Sequence, residues 1–568
     1  MKTLFLFLSL VFIPEILISQ WDKNTTPTYK ELIAIYQEWD IEHEEIQLFE
    51  MGESDADLPI YLCIINSDRD SLSTFKKAQN NTTILINNAI HPGEPDGVNA
   101  CLLYIENWIK SGKPIKNMPV LAIIPAYNVG GMLNRSSSSR ANQEGPENYG
   151  FRGNNQNLDL NRDFIKMDSK NAETFVKIYQ ALDPDVFVDT HVSNGADYQY
   201  TFTLITSLRE RLTNSMYNLT YKQFLPDMTK NMKKKSWDWA PYVETKGETP
   251  ESGIVAFNDL PRYASGYGSF FHALSLTDET HMLKPFPQRV KATYDFIEYL
   301  VSYTSENAKD IEKQKLASIQ ESLSKTYFKY NYSLVEKADS LKFKGFEYSY
   351  IPSEVTGLER LKYDRTKPFT KNIPYYKTHR AKDSIEIPMY YFVQGSEVEI
   401  IERLKANGVQ LYEVGNDFLS KEMKQLKITQ FKSPNRPYEG HFPHNSTQTT
   451  EVNFTGQFLK GTVIISTGQK RRDFIISVLE PECEDSYFTW NFMDSYVQQK
   501  EYFSPYVFED KAAELLKNNP SLNKEFKEKQ TTDLEFAKDE WSQLLWIYQR
   551  SPYFEEETFN RLPIFKIY

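Results

Sequence analysis

The stretch TTILINNAIHPGEPDGVNACLLYIENWIK, residues 82–110, indicates the fold of the first half of the chain. It starts as a nearly continuous apolar run, passes through a turn rich in proline and glycine, and continues with apolar residues at helical spacing. We predict a strand, a loop and a helix with Asp96 as its N-cap. A strand that is apolar at almost every position is typical of a mostly parallel sheet covered by helices on both faces.

The same alternation of strands and helices extends outward from about residue 20 to about residue 305. The predicted helices are TYKELIAIYQEWD (28–40), FVKIYQAL (175–182) and RVKATYDFIEYLVSYT (289–304). The other predicted strands are a pair in IQLFEMGESDADLPIYLCIIN (46–66), then VLAIIPA (120–126), DVFVDTH (185–191) and HALSLTDE (272–279). We therefore predict one α/β domain over residues 20–305, with a mostly parallel, mixed central sheet.

Residues 306–568 have a different pattern, and we place a domain boundary near residue 305. A charged helix, NAKDIEKQKLASIQESLSK (307–325), is interpreted as a connector. The rest predicts a strand-rich α+β region of unknown role that ends in charged helices. It includes a β-α-β unit whose helix has a capping-box pattern at Ser396 and Glu399 and ends at Asn407-Gly408.

The composition is that of a folded, acidic protein. Of the 568 residues, 40% are hydrophobic and 25% are charged, which excludes wholesale disorder. Lys and Arg total 65 against 77 Asp and Glu, a net charge of −12, so nucleic acid is not an expected partner. Cys63, Cys101 and Cys483 are too few for a disulfide framework, and we expect the first two to be buried apolar residues.

Residues 1–19, MKTLFLFLSLVFIPEILIS, have the pattern of a secretory signal peptide. One lysine precedes an apolar run from Leu4 to Ile13, and the small residue Ser19 stands near a cleavage position. A buried helix or a membrane anchor is the alternative, but the run is short for a bilayer and Pro14-Glu15 interrupts it. We predict a secreted or periplasmic protein without a stable membrane span.

Ionisable side chains follow several predicted strands of the first half. His91 and Glu94 form an H-x-x-E pair after one strand, His191 ends a second, and Glu279 ends a third. Because ligands bind at the carboxyl ends of parallel strands, we expect these groups to meet in one crevice. Two imidazoles and one carboxylate form the ligand set of a catalytic zinc site, and a further carboxylate beside it can act as a base.

Four motifs together resemble the zinc metallocarboxypeptidases of the carboxypeptidase A type. They occur in the order of that family, and the resemblance covers about residues 25–300. The motifs are IHPGEPDG (90–97), GFRGNNQNLDLNRDF (150–164), FVDTH (187–191) and LTDETHML (276–283). The start of the resemblance leaves no room for an activation pro-domain between the signal peptide and the enzyme.

The resemblance implies a role for each metal-site residue. His91, Glu94 and His191 would bind one Zn²⁺ per chain. Glu279 would be the general base and would then pass the proton to the leaving amine.

The resemblance also implies residues that bind substrate. Asn161 and Arg162 would hold the terminal carboxylate, a role that suits the planar fork of arginine. Arg152 would polarise the scissile carbonyl, with Arg140 as the less favoured alternative.

A mobile tyrosine covers the substrate in this family, and PRYASGYGSF (261–270) offers Tyr267, which we favour, and Tyr263. Two departures from the family pattern, Asp163-Phe164 after the Asn-Arg pair and Val192 after His191, bear on substrate preference more than on catalysis.

We assign no functional site to two motifs of the second half. His441 and His444 in HFPH lack a third ligand at suitable spacing, so we expect a polar loop. LEPECEDSYFTWNF (479–492) is interpreted as core aromatics flanked by solvated charges.

The sequence therefore predicts an exported zinc carboxypeptidase that acts on peptides or proteins with a free C-terminus. One alternative is a zinc amidase that acts on cell-wall peptides or N-acyl amino acids. Another is a catalytically inactive binding protein on a peptidase fold, which the joint presence of the ligands, Arg162 and Glu279 argues against.

Overall fold

The structure is a computed structural model in which residues 23–112, 118–415 and 423–568 are described. The predicted signal peptide, residues 1–19, lies outside the described residues. Among the residues that are described, no helix combines the length and the apolar character needed to cross a membrane.

The first half of the chain alternates strands and helices, as predicted. Its helices are α1 (Tyr29–Glu42), α2 (Ser71–Asn80), α3 (Asp96–Ser111), α4 (Val129–Leu133), α5 (Lys170–Leu182), α6 (Asn214–Tyr217), α7 (Leu225–Lys234), α8 (Ala264–Ser269) and α9 (Phe286–Ser324). Its strands are β1 (Ile46–Glu53), β2 (Pro59–Ile65), β3 (Thr83–Asn87), β4 (Val120–Ile124), β5 (Val186–Ser193), β6 (Phe202–Thr206), β7 (Trp239–Pro241), β8 (Glu244–Thr245), β9 (Ile254–Val255) and β10 (Leu274–His281).

An eight-stranded mixed sheet forms the core of this half, in the order β1-β2-β4-β3-β5-β10-β6-β7. The four central strands β4, β3, β5 and β10 are parallel, whereas β1, β2 and β6 pair antiparallel with their neighbours toward the centre. Every residue of β3, β4, β5 and β10 is buried, which explains the nearly continuous apolar sequences of β3 and β4. The predicted mixed α/β fold is confirmed.

Asp96 is not the N-cap of α3, contrary to our prediction. Pro95 occupies that position without a side-chain cap. The Asp96 carboxylate instead accepts hydrogen bonds from Arg289 Nε at 2.8 Å and from Thr280 Oγ1 at 2.9 Å. Because all three side chains are buried, this ion pair satisfies charges that would be costly to leave alone, and it ties α3 to α9 and β10.

The predicted boundary near residue 305 falls inside α9, a helix of 39 residues. Tyr303 and Thr304 before that point and Ile311 after it are all buried, so the apolar face continues without a break. The predicted connector is therefore the second half of one helix.

The second half of the chain follows α9. Its strands are β11 (Tyr327–Leu334), β12 (Asp339–Pro352), β13 (Glu359–Tyr376), β14 (His379–Glu386), β15 (Tyr390–Val393), β16 (Tyr412–Glu413), β17 (Met423–Lys432), β18 (Asn445–Phe454), β19 (Val463–Ser466) and β20 (Arg561–Ile567). Its helices are α10 (Val398–Ala406), α11 (Arg472–Leu479), α12 (Pro505–Asn518), α13 (Pro520–Thr532) and α14 (Glu540–Tyr548).

This half contains a six-stranded sheet in the order β16-β19-β15-β20-β17-β18. The helix α10 ends at Ala406 with Asn407 as its C-cap, and Gly408 follows with φ +73°, so the helix stops where the sequence predicts. The predicted capping box is wrong, because the N-cap is Glu397 and the Ser396 hydroxyl donates to the Glu397 carboxylate instead.

The two halves share contacts along their length. The long hairpin β12-β13 joins β9 of the first half in one sheet, and Arg365 on β13 donates to Asp197 at 2.6 Å. The ring of Phe474 on α11 lies 5.7 Å from that of Phe271, between ring centres. Cys63 and Cys101 are free and buried as predicted, and so is Cys483.

Candidate active site

Three elements bring the predicted metal ligands together. His91 and Glu94 lie in the turn between β3 and α3, and His191 lies in β5, which pairs with β3. All three side chains are buried, and the atoms that they offer lie within 4.8 Å of one another. Among the described residues, this is the one group of three or more such side chains that could hold a metal ion.

The inner nitrogens of both histidines face the Glu94 carboxylate. Glu94 Oε2 lies 3.1 Å from His191 Nδ1 and 3.4 Å from His91 Nδ1, and it accepts a hydrogen bond from the Val192 backbone N–H at 2.8 Å. His91 Nδ1 is buried and has no hydrogen-bond partner among the described residues. An unpartnered imidazole nitrogen beside a second imidazole and a carboxylate fits zinc, which prefers these donors.

The outer nitrogens of the two histidines are held by carboxylates. Asp159 Oδ1 lies 2.8 Å from His91 Nε2, and Asp189 Oδ2 lies 2.7 Å from His191 Nε2. Such outer contacts fix the orientation of a ligating ring and raise its basicity. Both Nδ1 atoms are thereby directed toward the centre of the group.

Neighbouring charges stabilise the ionised forms of Glu94 and His191. Burial lowers the pKa of His191, but the Asp189 carboxylate and Glu94 overcome this effect and raise that pKa well above 6.5. Burial raises the pKa of Glu94, but Arg140, His91 and His191 hold it well below its ordinary value. Glu94 is therefore a carboxylate at neutral pH, as a metal ligand must be.

Glu279 lies beside this group because of strand register. It pairs with His191 in the parallel β5–β10 ladder, so the two side chains leave the same face of the sheet. Burial, with the nearby Glu94 and Asp278 carboxylates, raises the pKa of Glu279 to about 8, against the opposing effects of His191 and Arg152. A carboxyl group with a raised pKa next to a metal group is suited to accept and return a proton.

The metal group and Glu279 line one cavity of about 460 Å³. Its other polar walls come from the loop before α5 and from the segment around α8. They include Arg140, Arg152, Asn161, Arg162, Tyr263 and Ser265. Ile205, Tyr242 and Phe257 add apolar wall, so the cavity offers both charged and apolar surface to a ligand.

The residues Leu160–Arg162 form a short 3₁₀ turn that places Asn161 and Arg162 at the cavity. Asp159 starts the turn, and its Oδ1 accepts a hydrogen bond from the Asn161 backbone N–H at 3.0 Å. The Arg162 guanidinium lies over the Tyr263 ring, 4.7 Å from its centre, and its Nη1 donates to the Asn161 carbonyl at 2.8 Å. The turn thus presents a stacked, oriented guanidinium to the cavity.

Comparison with known proteins gives a family match over this part of the chain. The family model of the zinc carboxypeptidases, peptidase M14, matches residues 33–239. This match shows that about a third of the chain is similar to the zinc carboxypeptidase family. The matched residues include the three metal-site side chains, whereas Glu279 lies beyond them.

Solved structures with similar folds are also metallocarboxypeptidases. A metallo-carboxypeptidase from Burkholderia cenocepacia is 16% identical, with 50% of this chain and 70% of that chain covered and a TM-score of 0.36. Carboxypeptidase A from Helicoverpa armigera is 15% identical, with 53% and 75% covered and a TM-score of 0.37. No curated protein matches the chain.

Two arginines of the first half approach Glu94 Oε1. Arg140 Nη1 lies at 2.9 Å, and the same guanidinium donates through Nε to Gln143 at 2.7 Å. Arg152 Nη1 lies at 3.5 Å from Glu94, and its Nη2 lies 2.9 Å from Asp159 Oδ2. The Arg152 side chain is 44% exposed and that of Arg140 is 13% exposed, so Arg152 is the one more open to a substrate.

Tyr267 does not line this cavity, and the preference for it over Tyr263 is corrected. Tyr267 is fully buried, and its hydroxyl donates to Asn407 Oδ1 at 2.7 Å. Because Tyr267 N bonds to the Tyr263 carbonyl at the start of α8, the helix carries Tyr267 into an aromatic cluster with Phe164 and Phe271. Tyr263 lines the cavity instead.

Of the two departures from the family pattern, Asp163 lies outside the cavity wall, whereas Val192 contacts Glu94 through its backbone N–H. The Asp163 carboxylate is buried, pairs with Lys166 at 2.9 Å and does not line the cavity. Val192 lines the cavity and supplies its backbone N–H to Glu94.

Sequence reasoning missed Asp159, Tyr438 and Glu439. Asp159 stands two residues before Asn161, so a carboxylate next to the Asn-Arg pair was a usable signal. Tyr438 OH accepts a hydrogen bond from Arg162 Nε at 2.9 Å, and Glu439 Oε2 accepts one from the Asp159 N–H at 2.8 Å. Neither of these two residues has a local sequence signal.

The HFPH motif forms no metal site among the described residues. His441 Nε2 lies 2.7 Å from Asp168 Oδ2, and His444 Nε2 lies 2.7 Å from Asp494 Oδ1. Tyr487, Phe488 and Trp490 of the second motif are fully buried, which confirms that they are core aromatics. The prediction that the flanking charges are solvated is wrong for Glu480 and Asp485, which are also buried because they pair with Lys566 and Arg262.

Proposed function

We propose that this chain is a zinc-dependent carboxypeptidase that removes C-terminal residues from peptides or proteins, and that residues 1–19 direct its export. The observation that carries the proposal is the shared cavity. His91, Glu94 and His191 line it together with Glu279, and Arg162 presents a guanidinium to the same space. A peptide whose terminal carboxylate pairs with Arg162 has its last peptide bond in the same cavity as the metal group.

His91, Glu94 and His191 would hold Zn²⁺, which supplies a Lewis acid that polarises the scissile carbonyl and activates water. Glu279 takes a proton from the attacking water and returns it to the leaving amine, a sequence that its raised pKa favours. Arg152 donates to the carbonyl oxygen as negative charge develops there. Each of these steps uses a group that lines the cavity.

Arg162 has donors left for a substrate carboxylate. A guanidinium has five N–H groups. Tyr438 takes the Nε hydrogen and the Asn161 carbonyl takes one on Nη1. The other N–H groups of Nη1 and Nη2 make no hydrogen bond to a described residue, since Asp159 Oδ2 is 3.7 Å away. They can bind a carboxylate in the bidentate way.

A matched pair of blocked dipeptides, one with a free and one with an amidated C-terminus, tests this proposal on the zinc-loaded chain. We expect kcat/KM to be at least about 100-fold higher for the free acid, because amidation removes a bidentate, charge-assisted pair. Equal cleavage of both would overturn the carboxypeptidase proposal. Cleavage of N-acyl amino acids in preference to peptides would favour the amidase alternative.

The inactive-scaffold alternative has less support, because both ligand histidines keep their carboxylate partners and Glu279 keeps its place beside His191. N-terminal sequencing of the exported protein tests the proposed signal peptide, and we expect the mature chain to begin at Gln20. A mature chain that still begins at Met1 would contradict it.

A further inference from the structure

A tight turn of the second half contacts the turn that carries Arg162. Tyr438 and His441 pair through backbone hydrogen bonds of 2.7 and 3.1 Å. Between them Glu439 has φ +50° and Gly440 has φ +80°, the geometry of a two-residue hairpin turn. His441 anchors the turn through its 2.7 Å contact to Asp168, so its position is fixed relative to the first half.

Two side chains of this turn reach the segment Asp159–Arg162 from the second half. The Tyr438 hydroxyl accepts the Arg162 Nε hydrogen at 2.9 Å. The Glu439 carboxylate accepts the Asp159 backbone N–H at 2.8 Å. These two bonds hold both ends of the 3₁₀ turn, and Asp159 in turn holds His91 and Arg152.

The bond from Tyr438 selects one edge of the Arg162 guanidinium. An arginine can bind a carboxylate through its Nη1 and Nη2 edge or through its Nε and Nη2 edge. Because Tyr438 already occupies Nε, the second mode is closed and only the Nη1 and Nη2 edge can take both carboxylate oxygens. The same bond limits rotation of the side chain over the Tyr263 ring.

We propose that Tyr438 and Glu439 are positioning residues for the substrate carboxylate, and that the second half of the chain thereby completes the binding site of the first. The part that concerns substrate rests on the proposed carboxypeptidase function. The part that concerns the turn rests on the two hydrogen bonds alone.

The substitution Tyr438→Phe tests the first residue. It keeps the ring and removes the hydroxyl, so the KM of the free-acid dipeptide should rise about tenfold while kcat stays within about twofold. The kcat/KM of the amidated dipeptide should not change, because that substrate has no carboxylate. Tyr412→Phe is the matched control, since Tyr412 is 67% exposed in β16 of the same half.

The substitution Glu439→Ala tests the second residue without any substrate. We expect amide hydrogen exchange over residues 157–162 to become at least about tenfold faster, because the Asp159 N–H loses its acceptor. Glu439→Gln keeps an oxygen in the same place and should retain most of the protection.

The outcomes separate the two proposals. Equal KM values for Tyr438→Phe and Tyr412→Phe, or unchanged exchange in Glu439→Ala, would overturn the positioning role. A wild-type chain that does not distinguish free from amidated substrate would overturn the proposed function instead, and the exchange measurement then decides the role of the turn on its own.

Discussion

Glu279 and His191 are directly paired across the β5–β10 ladder. Side chains alternate between the two faces of a strand, so this pairing puts the proposed base on the same face as a metal ligand, one strand away. Asp278 pairs with Thr190 in the same ladder and points to the other face. A shift of one residue in register would exchange Glu279 for Asp278, so the buried ladder itself specifies the site.

The substitution Glu279→Gln should abolish turnover while leaving zinc bound. Glutamine has nearly the shape of glutamate but cannot accept the proton, and it is not one of the three ligands. We expect kcat to fall by at least about 1000-fold, with one zinc per chain by metal analysis. Activity close to that of the wild type would show that another group acts as the base.

Zinc affinity should fall as the pH falls. The pKa of His191 is raised well above 6.5, so the metal-free protein carries a proton on this ring at neutral pH and must release it to bind zinc. The dissociation constant should rise about tenfold for each unit of pH decrease below that pKa. Competition titrations at several pH values measure this slope.

The substitution Asp189→Asn serves as the control for the zinc titration. It removes the carboxylate that raises the His191 pKa, so the slope should weaken near neutral pH. A dissociation constant that does not depend on pH in the wild type would mean that His191 is neutral in the metal-free protein.

The rate should rise with pH as Glu279 ionises. Its pKa is about 8 in the metal-free protein and bound zinc lowers it, so the acid limb of kcat/KM should lie between 4.5 and 8. Arg152 lowers the same pKa through its charge. In Arg152→Gln the limb should therefore move to higher pH, in addition to any loss of rate, and an unmoved limb would contradict this coupling.

Asp278 should make the folded protein less stable as the pH rises. Its carboxyl is buried, has no hydrogen-bond partner among the described residues, and burial raises its pKa to about 8. The unfolded chain releases this proton near pH 3.8, so the free energy of unfolding falls between pH 3.8 and 8.

The substitution Asp278→Asn, made in the Glu279→Gln background so that Glu279 does not contribute, should remove this dependence. Melting temperatures relative to the Glu279→Gln parent should rise with pH, from little or no gain at pH 4 to a clear gain at pH 8. A gain that is the same at every pH would show that Asp278 does not titrate in this range.

The two tyrosines near α8 should respond differently to substitution. Tyr267→Phe removes a buried hydrogen bond to Asn407 and should destabilise the fold by about 1–2 kcal/mol without a change in KM. Tyr263→Leu removes the ring under Arg162 and should raise KM for a free-acid substrate. Denaturant unfolding and steady-state kinetics on both variants check this, and a KM effect at Tyr267 would contradict the assignment.

Local patterns in the sequence were sufficient for six of the eight strands of the sheet, all but β6 and β7, and for the placement of the predicted metal group. His91, Glu94 and His191 each follow or end a buried strand, and the carboxyl ends of neighbouring parallel strands lie at one edge of a sheet. Their joint position therefore follows from secondary structure and topology.

Contacts between distant segments could not be predicted in this way. Tyr438 lies 276 residues from Arg162 in the chain, and nothing in its own neighbourhood indicates the partner. Which of Tyr263 and Tyr267 faces the cavity depends on the orientation of the short helix α8, and the local sequence does not indicate that orientation. The strand β20 enters the sheet of the second half between β15 and β17, although a charged helical segment precedes it.

Digestion of a peptide mixture by the zinc-loaded chain, with the products identified by mass spectrometry, tests directly whether the chain is a carboxypeptidase. The products should be peptides shortened by single residues from the C-terminus, and amidated copies of the same peptides should remain intact. Internal cleavage, or equal shortening of the amidated copies, would contradict a carboxypeptidase.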